Sequence, residues 1–481
     1  MLLGLLAWAA SSCSSPPSGP SQGSKAGSFT GGTRISADSP FRAGCNGGTQ
    51  PGTNFINAEV EPYVASDPTD GNHFIVSFQQ DRWGNGGSNG VLTAATFDGG
   101  KTWTRATVPV SRCGGGTAAN GGGYERASNP WVTISADGKA YLAAIAFDVS
   151  AGSDGSTVIL VSRSDDGGRT WGDPATLVHD RDFNVLNDKV AVTADPTDPS
   201  RAYVVWDRVT GLTQTDAPGS GPALLSILSN GTWSAPATIH DPGLNLQTIS
   251  NQLVVLPDGT LVEMFLLLAN LPNQLPDNGS IQVIRSQDHG ATWSAPIEVA
   301  ELRVVPVTDA RTGVPVRAGA FIPEIAVDPL SGALFVVWED GRFGNFTTEA
   351  VALSASVDGG RTWSSPRRIN GDSSVPAFEP TVRVGKSGVV AVLYEDLRHL
   401  QSGNGTFLAT YWLATSSDGG ASFTEQQQGS DFDLSEAFFG PSYFLGDYQG
   451  LAATADGFLP VLAATNRGNT ENRTDLFAGP F

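Results

Sequence analysis

Scattered along this 481-residue chain are polar residues that stand once each, mostly at the heads of apolar stretches, rather than in any repeating position. They are Glu61; Tyr124, Glu125 and Arg126; Asn187, Asp188 and Lys189; Asn251 and Gln252; Glu324; Glu379; and Asp447, Tyr448 and Gln449, with Arg82 and Trp83 closing the first apolar pair. Carboxylates, amides and aromatic rings together suit a sugar site, because hydroxyls need paired donors and acceptors and sugar faces need a stacking partner. The alternative is a hydrated acidic lining that only satisfies backbone groups. Other catalytic patterns are thin. Residues 86–90 fit GxSxG but lie in a glycine-rich loop with no helix to follow, so no nucleophile elbow is expected. The five histidines form no HExxH and the three cysteines no CxxC, and no loop motif supports Ca2+ among the carboxylates. Neither a metal nor a cofactor is expected.

The elements that must position these residues are written as repeats. Residues 164–171 read SDDGGRTW, 96–103 TFDGGKTW, 286–293 SQDHGATW, 356–363 SVDGGRTW and 416–423 SSDGGASF, with a shortened copy, SNGTW, at 229–233. In such a turn the Asp accepts from turn amides, the Gly supplies positive φ, and the Ser or Thr hydroxyl caps another backbone group. The Trp leaves the turn at the head of a strand, free to pack on a neighbouring unit. Between these turns a second pattern recurs: an apolar strand, a DP or DG turn, and an apolar strand ending in an acidic residue and often Arg. It occurs at 61–82, 129–148, 188–208, 251–265, 323–342, 379–398 and 449–467. Seven strand pairs face six turn copies. The last pair is followed at 475–481 by a third strand with no fourth, and residues 33–36 can supply the missing edge. Whatever recurs in every unit reads as architecture. Arg82, Arg208, Arg342, Arg398 and Arg467 recur after second strands, four of them near Asp81, Asp207, Asp340 or Asp396, and read as ion pairs between units. The alternative is a cationic cluster for an acidic sugar.

The pattern SxDxGxTW resembles the Asp-box, or BNR repeat, of the sialidase superfamily, and with the intervening strands the resemblance covers roughly residues 55–481. It implies an all-β fold: a β-propeller of four-stranded antiparallel blades, each Asp-box linking a third to a fourth strand. Counting strand pairs predicts seven blades, with six, usual for sialidases, as the alternative; pairing of the N- and C-terminal strands would close the ring and remove exposed edges. The short turns then share one face. The long loops at 82–90, 110–128, 208–221, 269–280, 301–321 and 426–448 gather on the other, where binding sites usually sit. Family enzymes clamp the sialic-acid carboxylate with three arginines and use a Tyr nucleophile assisted by Glu, with an Asp acid/base. By resemblance Tyr448, with Glu379 or Glu324 across the channel, would be the Tyr and Glu, and Asp188 the acid. The first family arginine sits in an FRIP-like motif opening the first strand. Here that place reads Glu61-Pro62-Tyr63, whose carboxylate would repel an acidic sugar. Phe41-Arg42-Ala43-Gly44 is a faint upstream echo.

Composition bounds the remaining choices. Fifty-eight glycines, 30 prolines and 40% hydrophobic residues fit many short strands around a sizeable core. A net charge of −20 disfavours nucleic acid and anionic membranes as partners. Residues 1–13 read as an export signal, resembling a bacterial lipoprotein type whose lipid-bearing residue would be Cys13; an ordinary secretory signal is the alternative. The Ser/Gly/Pro-rich stretch 14–32 reads as a tether and 33–481 as the propeller, so membrane contact would come only through a lipid anchor. Cys45 and Cys113 remain, both in Gly-rich loops before first strands, and either form a disulfide or stay as two thiols. The expected protein is a secreted or envelope-anchored monomer whose partner is a glycan or glycoconjugate, with a glycosidase or a protein-interaction scaffold as the alternatives. Full turnover retained by Tyr448→Phe in an aryl sialoside assay would exclude the nucleophile role.

Overall fold

The strands alternate apolar runs with tight turns, and in the computed structural model they pair antiparallel throughout their sheets. The structure describes residues 29–150, 153–211, 219–269, 278–400 and 405–480; the signal segment, Cys13 and most of the tether lie outside the described residues. Among the described residues there are six sheets, four of four strands, one of five and one of eight. In the five-stranded sheet both Thr232–Trp233 and Ala237–His240 pair with Ala223–Ser229, so two short pieces share the fourth-strand position. The eight-stranded sheet is two four-stranded stretches joined where Ser88 pairs with Ala127. Thr33–Arg34 pairs with Thr474–Ala478, so the edge of the last sheet is covered by the chain's own N-terminal part.

The first strands are Asn54–Ser66, Arg126–Ile134, Val185–Ala194, Leu246–Val255, Glu324–Val327, Ala377–Val384 and Gly450–Ala453. Each lies against the next, and Gly450–Ala453 lies against Asn54–Ser66. Second strands are buried on both faces, with Trp206, Trp338 and Tyr394 fully enclosed between sheets.

The repeated turns hold one geometry. In 164–171 the Ser164 hydroxyl donates to Asp166 Oδ1 at 2.8 Å and accepts from the Gly168 amide at 2.8 Å. Asp166 in turn accepts from the Thr170 amide at 2.9 Å and hydroxyl at 2.6 Å. Gly168 has φ +84°, and a Cβ there would meet Ile75 Cδ1 of the preceding sheet stretch at 2.8 Å. Gly290 stands in the same way against Leu225, at 2.9 Å, whereas a Cβ at Gly100 would make only ordinary contact with Leu459 of the last sheet. The glycine therefore serves two ends, turning the chain and letting one sheet settle on its neighbour. Trp171 adds a hydrogen bond between the two stretches of the eight-stranded sheet, Nε1 to Thr93 Oγ1 at 2.8 Å.

Cys45 and Cys113 are disulfide-bonded with Cα atoms 4.9 Å apart, fastening the N-terminal arm to the Gly-rich loop at 111–123.

The turn carboxyls make stability depend on acid. Asp98 is held down to about 2 by the hydroxyl and amide of Thr102 and by Thr96, and Asp288 to about 2 by Thr292 and Ser286. Because an unfolded Asp titrates near about 3.9, their stabilisation is present above about pH 4 and lost as the pH falls through about 2. Urea midpoints should fall between about pH 5 and about pH 2, and fall less steeply in Thr292→Val; equal slopes would remove the turn from the account.

Candidate functional site

The first strands are bulged at matching places. Register shifts fall between Val60 and Tyr63, Ser128 and Trp131, Asp188 and Ala191, Ile249 and Gln252, and Phe378 and Thr381. Inside each shift one non-glycine residue is left-handed: Glu61 (φ +56°), Asn129 (+51°), Lys189 (+49°), Ser250 (+60°) and Glu379 (+54°). Such a conformation costs on the order of 1 kcal/mol or more for a side chain with a Cβ, and bulges re-aim side chains. Three are followed by Pro62, Pro130 or Pro380, which have no N–H to leave unpaired in the broken ladder. The bulges carry several of the singular polar residues picked out by sequence.

Their deepest meeting point is Asp447. Arg317 grips it with both edges of its fork, Nε to Oδ1 at 2.8 Å and Nη2 to Oδ2 at 2.5 Å, and the Lys189 ammonium donates to Oδ2. Burial alone would raise this carboxyl, but Arg317 and Lys189 hold it far below the usual range. Arg82 and Arg317 flank the Phe444 ring, each guanidinium 4.7 Å from its centre. Arg82 donates to Gln79 Oε1 at 3.1 Å, and Gln79 Nε2 donates to Glu61. Burial, and then Asp447, push the Glu61 carboxyl up. Arg82 is lowered to about 10, chiefly by burial. Arg317 and Phe444 escaped the sequence reading because they come from long irregular loops with no pattern to flag them.

The residues expected to be catalytic are each engaged with protein partners, and Glu324 is among the charges close to Tyr448. Tyr448 is buried, its ring edge-on to Trp131 and Tyr63, and its hydroxyl donates to the Pro130 carbonyl at 3.1 Å. Burial and the nearby Glu61 and Asp447 carboxyls push that hydroxyl well above its ordinary value, the opposite of nucleophile activation. Glu379 accepts from Gln449 Nε2 at 3.2 Å and lies in a buried acid group with Glu339 and Glu395, raised by burial and then by those neighbours. Glu324 is held by Thr381 and by Arg383 at 2.9 Å. Asp188 accepts from the Lys189 amide at 2.8 Å and faces a separate pocket beside Ser128, Asp148 and Thr157.

Several expected sugar contacts are scaffold instead. Arg126 is fully buried, tying Gln50, Pro51, Asn85 and Gly86 together and stacking over Trp83 at 4.1 Å, so neither is open to a ligand. Glu125 caps the amides of Val149 and Ser150 at 2.7 and 2.8 Å. Gln252 bridges the Pro323 carbonyl and the Ile325 amide, and Gln449 receives the Ala463 amide. Tyr124 is half-buried, edge-on to His179. Of the recurring arginines, Arg208 pairs with Asp180 of the preceding strand stretch, whereas Arg342 and Arg398 pair with Asp340 and Asp396 of their own sheets. Asp207 has no such partner; burial leaves its carboxyl raised, next to Asp188.

A second, smaller pocket is walled by Trp131 and Tyr448 and edged by Asn129, Lys189, Ser250 and Asn251. Asn129 Nδ2 and Asn251 Oδ1, a donor and an acceptor on two of these lining residues, are buried and make no hydrogen bond within the protein, and the Asn251 side chain lies against the Asp207 carboxyl.

No protein-family profile matches the sequence, and no curated protein matches it. Solved structures with a similar trace include the Hadza microbial sialidase Hz136, 18% identical, TM-score 0.47, covering 85% of this chain and 76% of that one. The alpha-L-arabinofuranosidase Arb93A of Fusarium graminearum is 12% identical, TM-score 0.45, covering 94% and 98%. The alpha-L-arabinanase of Penicillium chrysogenum is 15% identical, TM-score 0.44, covering 74% and 93%.

The buried acids give a second pH dependence. Glu395 is pushed up to about 8 by burial, against about 4.3 unfolded. A raised acid favours the fold while protonated, so its contribution is present below about pH 4 and lost as the pH rises through about 8. Urea midpoints should fall between about pH 6 and about pH 9, and Glu395→Gln should flatten that fall; an unchanged slope would mean the acid ionises freely.

Proposed function

We propose that this protein is an exported, sialidase-like propeller of seven blades that recognises carbohydrate at its central pocket. The observation that carries the reading is the pair of unpartnered amide atoms, Asn129 Nδ2 and Asn251 Oδ1, beside the rings of Trp131 and Tyr448. A buried amide without a partner costs about 1–3 kcal/mol, which a ligand hydroxyl accepting from one and donating to the other would return. The pocket is narrow and suits a hydroxyl or hydroxymethyl arm of a terminal sugar rather than a whole ring. Ring closure is supported by the unbroken succession of first strands and by the pairing of Thr33–Arg34 with Thr474–Ala478. Counting the eight-stranded sheet as two blades makes seven. Export is supported by the Cys45–Cys113 bond, which belongs to an oxidising compartment.

A glycoside hydrolase is the second reading, favoured by one observation. Burial and Asp447 push the Glu61 carboxyl up at the edge of the cation cluster, and a carboxyl raised in this way can serve as an acid. Turnover of an aryl glycoside that Glu61→Gln abolishes would establish it.

On a glycan array the wild-type protein should bind terminal uncharged sugars. Asn129→Gly keeps the left-handed backbone and removes the free donor, and should weaken binding roughly tenfold or more in a protein that still unfolds cooperatively. Equal binding by the variant would move the site elsewhere.

A further inference from the structure

Lys189, Arg317 and Arg82 come from chain segments far apart in sequence, yet they converge on one place, and the first two share one carboxylate. The arrangement has the geometry of an anion site: a guanidinium fork meeting two oxygens in parallel and an ammonium closing on one of them. The anion in it is Asp447, whose side chain is only 2% exposed, while Arg317 keeps 31% of its side chain open and links the cluster to solvent. Lys189 also edges the central pocket, so whatever sits on these cations decides what the pocket can accept.

We propose that Asp447 is a built-in ligand of this site, a carboxylate of the protein's own that occupies the cations an acidic sugar would need, so that the pocket accepts uncharged glycans and rejects carboxylated ones. The specificity clause rests on the reading of the pocket as a sugar site; the occupied anion site does not. With Asp447 in the fork of Arg317 and on Lys189, and with Asp188 and Glu61 also close to both cations, a ligand carboxylate would enter among carboxyl groups already in place, where like charges in a desolvated cluster repel. Removing the Asp447 side chain uncovers both cations and leaves room for a small carboxylate.

The test is chemical rescue in the full mature chain. At matched ionic strength, acetate should raise the melting temperature of Asp447→Ala well above its value in chloride and leave the wild type unmoved. N-acetylneuraminic acid should bind Asp447→Ala at least tenfold more tightly than the wild type by calorimetry. A folded Asp447→Ala that responds alike to acetate and chloride would overturn the proposal. Wild-type binding of N-acetylneuraminic acid that is lost in Lys189→Met would also overturn it, and this arm decides the matter should Asp447→Ala not fold in either salt. Acetate rescue in a protein whose wild type binds no glycan would leave the occupied anion site standing and dismiss the sugar reading alone.

Discussion

Each sheet in this protein is apolar on both faces and can bury them only by lying between two others, so everything depends on how closely adjacent sheets approach. That approach is set where the repeated turns meet the preceding sheet. A Cβ on Gly168 or Gly290 would press within 2.8 or 2.9 Å of the Ile75 or Leu225 side chain, and Trp171 reaches across to Thr93. The same turns are stiffened by carboxylates that collect amide and hydroxyl donors, which ties the scaffold's stability to their ionisation. An exposed hairpin tip thus does structural service out of proportion to its size.

Stacking of this kind brings the first strands together and creates the problem that the bulges resolve. Close-set inner strands present backbone and polar side chains to a shared interior, and a left-handed residue in five of them turns those side chains out of the ladder. The interior that results carries more acid than base. Glu339, Glu379 and Glu395 are all pushed up, first by burial and, for Glu339 and Glu379, then by neighbouring carboxyls, whereas Asp447 is held down because Arg317 and Lys189 reach it. Charge and neutrality are apportioned by geometry alone, since the residue types are nearly the same. The Tyr448 hydroxyl is raised by the same logic, being buried against a carbonyl and near carboxyls.

Much of the fold was legible in the chain because its signals are local. An Asp, two Gly and a Thr within a few residues make their own hydrogen bonds, apolar runs of strand length announce pairs, and the leftover strand at the C-terminus asked for the partner that Thr33–Arg34 supplies. Of the singular polar residues, Glu61, Lys189, Asn251, Asp447 and Tyr448 gather near one another. Their roles were another matter. Arg126 and Glu125 look like ligand contacts in sequence and prove to be loop fasteners; Arg317 and Phe444 look like nothing in sequence and stand at the centre. The chain by itself determined the turns, the strands and the residues available for chemistry, because those follow from neighbours a few positions apart. Only the tertiary structure decided which cation meets which carboxylate and which hydroxyl is spent, because Lys189 and Asp447 lie 258 positions apart and a charge takes its state from whatever the fold sets beside it.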